Sequence, residues 1–192
     1  MRTMTRWALT PFAVLALAGC GDKAEKTGAE TPTANAPATA PSRTLAATLQ
    51  ADGANGALAR LMTNSGLDAA LAGVGPYTLF APAESAFKSQ AGADVTDPAM
   101  KAEGAALLRA HIVPGALTRA DIAAAVDRSA GQGAQMRTMA GGLLTFMRNG
   151  EDLVITGPDG ATARLTGKES LATNGVLQPV DALLVKPNAA PD

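Results

Sequence analysis

The chain has 192 residues with 16 Lys+Arg against 17 Asp+Glu, one His and one Cys. That allows one domain of ordinary size with appendages. Without a cluster of positive charge to track a phosphate backbone, nucleic acid is not an expected partner. A lone cysteine forms no intramolecular disulfide, and a single histidine beside it leaves too few ligands for a closed zinc site.

Residues 1–20 read as a basic start (Arg2, Arg6), an apolar stretch from Trp7 to Leu17, and small residues Ala18 and Gly19 before Cys20. Basic, apolar, small is the order of an export signal. The apolar part is shorter than the roughly 20 residues a membrane-crossing helix needs. Leu17-Ala18-Gly19-Cys20 resembles the bacterial lipobox, which implies a signal peptide at 1–19, cleavage before Cys20, and lipid on the cysteine. An ordinary signal peptide cut near Ala18 is the alternative. Two or three acyl chains anchor stably where one holds only marginally. Loss of Arg2 and Arg6 leaves 14 Lys+Arg against 17 Asp+Glu, a formal −3. The lipoprotein resemblance implies that Gly21, which is not an acidic residue, favours the outer membrane, while Asp22 keeps the inner membrane open. Residues 21–43 contain Ala, Thr, Pro, Gly and charge but no Leu, Ile, Val or aromatic residue, so they bury too little to offset the entropy of ordering. With Cys20 they read as a lipidated tether over 20–43.

The domain is expected over 44–187, with 188–192 as a tail. Leu58, Leu61 and Met62 share a helical face that Asn64-Ser65-Gly66 ends, and Leu67, Ala70 and Leu71 mark a second short turn. Tyr77 to Phe80 reads as a strand ended by Pro82. Asp97-Pro98 is an N-cap followed by proline at the first helical position. The spacing predicts a helix from there through Leu107, Leu108, His111 and Ile112 to Pro114-Gly115. Thr118 to Asp121 has capping-box spacing and opens a helix through Ile122 and Val126. From Met136 onward the runs 136–139, 143–147, 153–156, 161–166 and 176–185 are separated by Gly- and Asn-rich turns, which predicts an antiparallel sheet. Helices first and strands second give an α+β class.

Three blocks resemble the fasciclin, or FAS1, domain: Gly75 to Phe87 (GPYTLFAPAESAF), Leu107 to Gly115 (LLRAHIVPG) and Asn174 to Asp181 (NGVLQPVD). The resemblance implies a wedge of antiparallel β-strands flanked by short helices, with Asn174 and Asp181 in its structural core. Ala110 stands where the family usually has Tyr, so the Tyr-His pair tied to adhesion in animal members is half missing. Gln178 and Pro179 replace the usual His and Val. Since proline cannot donate to a central ladder, an edge or bulge is expected there.

His111 is the one candidate general base, and its spacing from Leu107 puts it on an apolar face, which reads as a buried histidine with one hydrogen-bond partner. A relay would need Ser65, Ser85, Ser89 or Ser129, none of which lies in a G-x-S-x-G elbow. No phosphate loop or complete dinucleotide fingerprint occurs, and Asp121, Asp127 and Asp181 are not at calcium-loop spacing. No cofactor or metal is therefore expected. Asn174-Gly175 reads as a turn, Asp181 as a strand-end acid, and Met136, Met139 and Met147 as core filling or an adaptable stripe. These readings converge on a non-enzymatic, membrane-tethered adhesion or interaction module at the bacterial cell envelope, with a protein or glycan partner. The alternatives are a periplasmic small-molecule-binding protein or enzyme using a cleft near His111, and an envelope-stress or quality-control accessory.

Overall fold

The computed structural model describes residues 40–51, 53–88 and 94–186. Cys20, the signal segment, most of the tether, Ser89 and the 188–192 tail lie outside the described residues. Short helices come first: α1 (Leu45–Ala51), α2 (Gly56–Ser65), α3 (Asp68–Leu71), then strand β1 (Tyr77–Pro82) and α4 (Glu84–Lys88). A single turn at Pro98–Met100 leads into α5 (Lys101–Ala110), followed by β2 (Ile112–Pro114) and α6 (Arg119–Arg128). The rest is extended: β3 (Ala134–Arg137), β4 (Leu143–Asn149), β5 (Asp152–Thr156), β6 (Thr162–Arg164), β7 (Ser170–Ala172) and β8 (Gly175–Val180).

Local chemistry explains several boundaries. Asp97 accepts the Ala99 N–H at 2.8 Å with Pro98 behind it. At α6 the capping box is complete: Thr118 accepts the Asp121 N–H, and the Asp121 carboxylate accepts the Thr118 N–H and hydroxyl. Helix α2 ends on Gly66 in the left-handed region, φ 73°, where glycine carries no Cβ penalty.

The strands form two four-stranded sheets, ordered β2-β1-β8-β7 and β3-β4-β5-β6. The second is antiparallel throughout, as the turn-rich sequence implies, but the run from Val176, expected in the same sheet, lies in the first as β8. The first is mixed, because β1 and β8 pair in parallel from Tyr77↔Gly175 to Pro82↔Val180. Tight turns dictate antiparallel pairing only between neighbours in sequence, and almost a hundred residues separate these two strands. Both are buried on two faces, as parallel strands are. Leu79 and Leu177 enter a core formed with α1, α2, α3 and α5, while Phe80 and Val180 enter a second core with α6 and the antiparallel sheet. Phe80 and Phe146 meet across the two sheets at 5.5 Å. Each ring is fully buried, a contribution of about 2–3 kcal/mol apiece.

Several expected boundaries move, among them the runs 136–139 and 161–166, which are β3 at Ala134–Arg137 and β6 at Thr162–Arg164. The helix expected through Ile112 stops at Ala110, because Ile112 and Val113, β-branched residues that favour strands, pair with Leu79 and Thr78. Strand β1 runs on through Ala81 and ends at Pro82, as expected. Phe80 donates toward His111 while Ala83 donates toward Val180, so alternation turns the Pro82 nitrogen to the side where β2 has already stopped. The expected run to Val185 ends as a strand at Val180. Pro179 lies in β8 where β7 has already ended, as its register with Ser170–Ala172 shows. Its carbonyl accepts the Thr166 N–H, so its nitrogen also faces away from β1 and no ladder bond is lost.

Candidate interaction site

His111 caps α5, with φ −98° and ψ 1°, and is 1 % exposed. Nε2 accepts the Leu184 N–H at 2.9 Å, which fixes the tautomer: Nδ1 carries the proton and donates it to the Leu107 carbonyl at 2.8 Å. The sequence suggested one partner; the fold supplies two. Burial pushes the imidazole down to about 4, against a smaller upward pull from the Leu107 bond. Neutral and bonded at both nitrogens, His111 has no free lone pair for proton abstraction in this arrangement. Ser65 and Ser129 donate to the carbonyls of Met62 and Val126, one turn back in their own helices.

Asn174 is 6 % exposed and joins three distant segments. Oδ1 accepts the Leu45 N–H at 2.8 Å, and Nδ2 donates to the carbonyls of Leu71 and Gly73, each at 2.7 Å. Its backbone carbonyl accepts the Tyr77 N–H. Gly175 follows because β8 lies against β1 there: a Cβ would stand 1.9 Å from the Tyr77 carbonyl oxygen. Asp181 is exposed and accepts the Arg164 N–H at 2.7 Å, closing the seam where Leu165 bridges to Val180.

A polar network that sequence reasoning missed surrounds Gln178. Its amide is fully buried and donates to Glu169 Oε2 at 2.7 Å and to the Leu117 carbonyl at 3.1 Å. The same carboxylate oxygen accepts the Arg119 N–H at the start of α6, and the Arg119 guanidinium donates to the carbonyls of Thr166 and Gly167. The one available signal was Gln178 itself, a departure from the family pattern.

Large apolar side chains are exposed elsewhere, Val74 and Leu171 most of all. Leu143 and Met147 on β4, and Met139 just before it, are 39–43 % exposed. Met136 packs against the second core, so the three methionines divide between packing and surface. A cleft of about 250 Å³ opens between α6 and the end of β4, lined by Val126, Asp127, Gly131, Gly133, Met147 and Arg148. Across it Arg148 grips Asp127 through Nε and Nη2 at 2.9–3.1 Å. His111 does not line this cleft. Among the described residues, no group of three His, Cys, Asp or Glu side chains is arranged to hold a metal ion, and no helix is long and apolar enough to cross a membrane.

The family model described as the Fasciclin domain matches residues 55–186. The chain belongs to the fasciclin domain family. Among solved structures it is similar to a FAS1 domain pair from the insect cell adhesion molecule fasciclin I, at 15 % identity and a TM-score of 0.63. That match covers 76 % of this chain and 51 % of the other, so the chain spans about half the length of the structure it resembles. In this fasciclin domain α1 precedes the matched residues, yet Leu45 and Leu49 are fully buried in the first core.

Proposed function

We propose that the chain is a non-enzymatic adhesion or interaction module, held at a bacterial cell envelope by lipid on Cys20 and spaced from the membrane by residues 21–43. Fasciclin domains generally serve as adhesion or interaction modules, and the observation that carries the finer reading is the lipobox-like Leu17-Ala18-Gly19-Cys20 ahead of such a domain. Two details support it. The Arg43 carbonyl accepts the Thr173 N–H, so a tether would pull on a point fastened to the β7–β8 turn. His111, the one candidate base, is committed to backbone partners on both sides. Tethering raises the effective concentration of the domain near its neighbours, so weak contacts with a protein or glycan become useful. Gly21 after the cysteine favours the outer membrane.

Protease treatment of intact and outer-membrane-permeabilised cells tests this, with Cys20→Ala as the control. The expected result is a domain retained with membranes in wild type and released in Cys20→Ala. Digestion on intact cells assigns it to cell-surface adhesion, and protection until permeabilisation to contacts inside the envelope. Equal release of both proteins overturns the anchor. A defined enzymatic activity abolished by His111→Gln, with stability retained, overturns the non-enzymatic reading.

A further inference from the structure

We infer that the open end of β4 is a docking edge for an extended peptide segment of a partner protein, which would continue the antiparallel sheet in line with β3. The inference rests on the interaction-module reading above and names the surface that would carry it. Strand β4 runs to Asn149, but β3 pairs with it only as far as Ala134↔Phe146. Met147, Arg148 and Asn149 have register partners in β5 alone. The Leu153 carbonyl accepts the Leu165 N–H at 2.9 Å, so Leu153 faces β6, and strand alternation turns its partner Arg148 the other way. The N–H and C=O of Arg148 therefore point into the space that β3 would fill if it were longer. Among the described residues neither group has a hydrogen-bond partner.

The chain leaves that space free by its backbone conformation. Ala130, Gly131 and Gly133 have φ of 50°, 86° and 81°, and the Gln132 N–H turns back to the Ser129 carbonyl. Gly133 lies against β4 so closely that a Cβ would stand 2.9 Å from Thr145 Cγ2 and 3.0 Å from the Phe146 oxygen. The ladder is tight up to Ala134 and then opens into the cleft.

The donor and acceptor pair specifies a peptide backbone as the ligand, the usual mode of strand addition. The overhang of three residues is about 10 Å long. A stable interface between two copies needs roughly 800 Å² per partner, which this edge does not offer. In the docked segment the residue opposite Arg148 would lie over Val126 and the Asp127–Arg148 pair. There the glycine wall leaves room for a small side chain. The residues on either side would lie beside Met147, which favours an apolar one.

The test is amide exchange at Arg148 by NMR in the purified full chain in detergent micelles. The probes are a capped pentapeptide of alternating threonine and valine and the same peptide N-methylated at every amide, which removes the donors on both edges of the strand. The expected result is an Arg148 amide that exchanges freely alone and slows about tenfold when the unmodified peptide is about tenfold above its Kd, with no slowing by the methylated peptide. Asp127→Asn should retain this response, and in Arg148→Pro, which has no amide of its own, the chemical-shift changes that the unmodified peptide causes at Met147 and Asn149 in wild type should be lost. Equal slowing by both peptides, or by neither at millimolar concentration, overturns the inference. So does an Arg148 amide already protected in the full chain, which would mean that its own N-terminal segment fills the edge. In cells, partner crosslinks that survive Arg148→Pro in folded protein contradict the edge alone, whereas a wild-type chain that forms no crosslinks contradicts the interaction-module reading beneath it.

Discussion

The imidazole of His111 accepts the backbone N–H of Leu184, 73 residues later, at 2.9 Å. This bond fastens the buried segment at Leu183 and Leu184 to the end of α5, and it exists only while the ring is neutral at Nε2. The sole histidine is thus a pH-sensitive clasp for the C-terminal segment.

Stability should fall as pH drops through the window between 6.5 and about 4. The unfolded chain takes up a proton on His111 near 6.5, the folded chain only near 4, so acid favours unfolding throughout that window. The full effect is about 3 kcal/mol. Urea titrations at several pH values should show wild type losing this increment while His111→Gln, less stable at neutral pH, shows a flatter profile. Parallel profiles would contradict the role assigned to the ring.

Asn174→Ala should destabilise by about 3 kcal/mol or more, since it strands the Leu45 N–H and the Leu71 and Gly73 carbonyls in or near the core. Asn174→Asp should also destabilise, because both Nδ2 donors become acceptors facing carbonyl oxygens. Denaturant midpoints read both effects, and a near-neutral Asn174→Asp would contradict the three-bond arrangement.

Glycine positions separate cleanly. Gly175→Ala puts a Cβ 1.9 Å from the Tyr77 oxygen, and either β1 and β8 part or the chain fails to fold. The expected loss is above about 3 kcal/mol. Gly53→Ala, with nothing within 4 Å, should stay within about 0.5 kcal/mol of wild type. Thermal unfolding of the pair is the check.

Thr118→Ala removes the N-cap of α6 and should reduce stability by about 1 kcal/mol. Thr118→Ser keeps the hydroxyl and should stay close to wild type. The same thermal unfolding experiment distinguishes them.

Features whose cause is local were legible in the sequence. The Thr118–Asp121 box, the Asp97-Pro98 start and the Gly150 turn between β4 and β5 each depend on a few adjacent residues, and each appears as read. Features caused by distant pairing were not. Ile112 and Val113 continue a helical spacing, and only the partner strand at Thr78 and Leu79 makes them β2. The parallel β1–β8 pair depends on segments with no common turn, and its trace in the sequence was the run Tyr77–Pro82, apolar apart from Thr78, which alternation does not describe. At the candidate site, the depth of His111 was visible from its helical face, but its second partner, Leu184, was not. The Glu169–Gln178–Arg119 network joins three segments by tertiary packing, and no motif announces it.

The central claim, a fasciclin domain carried on a lipidated tether, is tested most directly by the intact mass of the protein extracted from the membrane fraction, beside that of Cys20→Ala. The account predicts a wild-type chain that begins at Cys20 and carries the added mass of acyl groups, and a Cys20→Ala chain without that mass. A wild-type chain with a free Cys20 thiol, or one cut at another residue and lacking lipid, would contradict it.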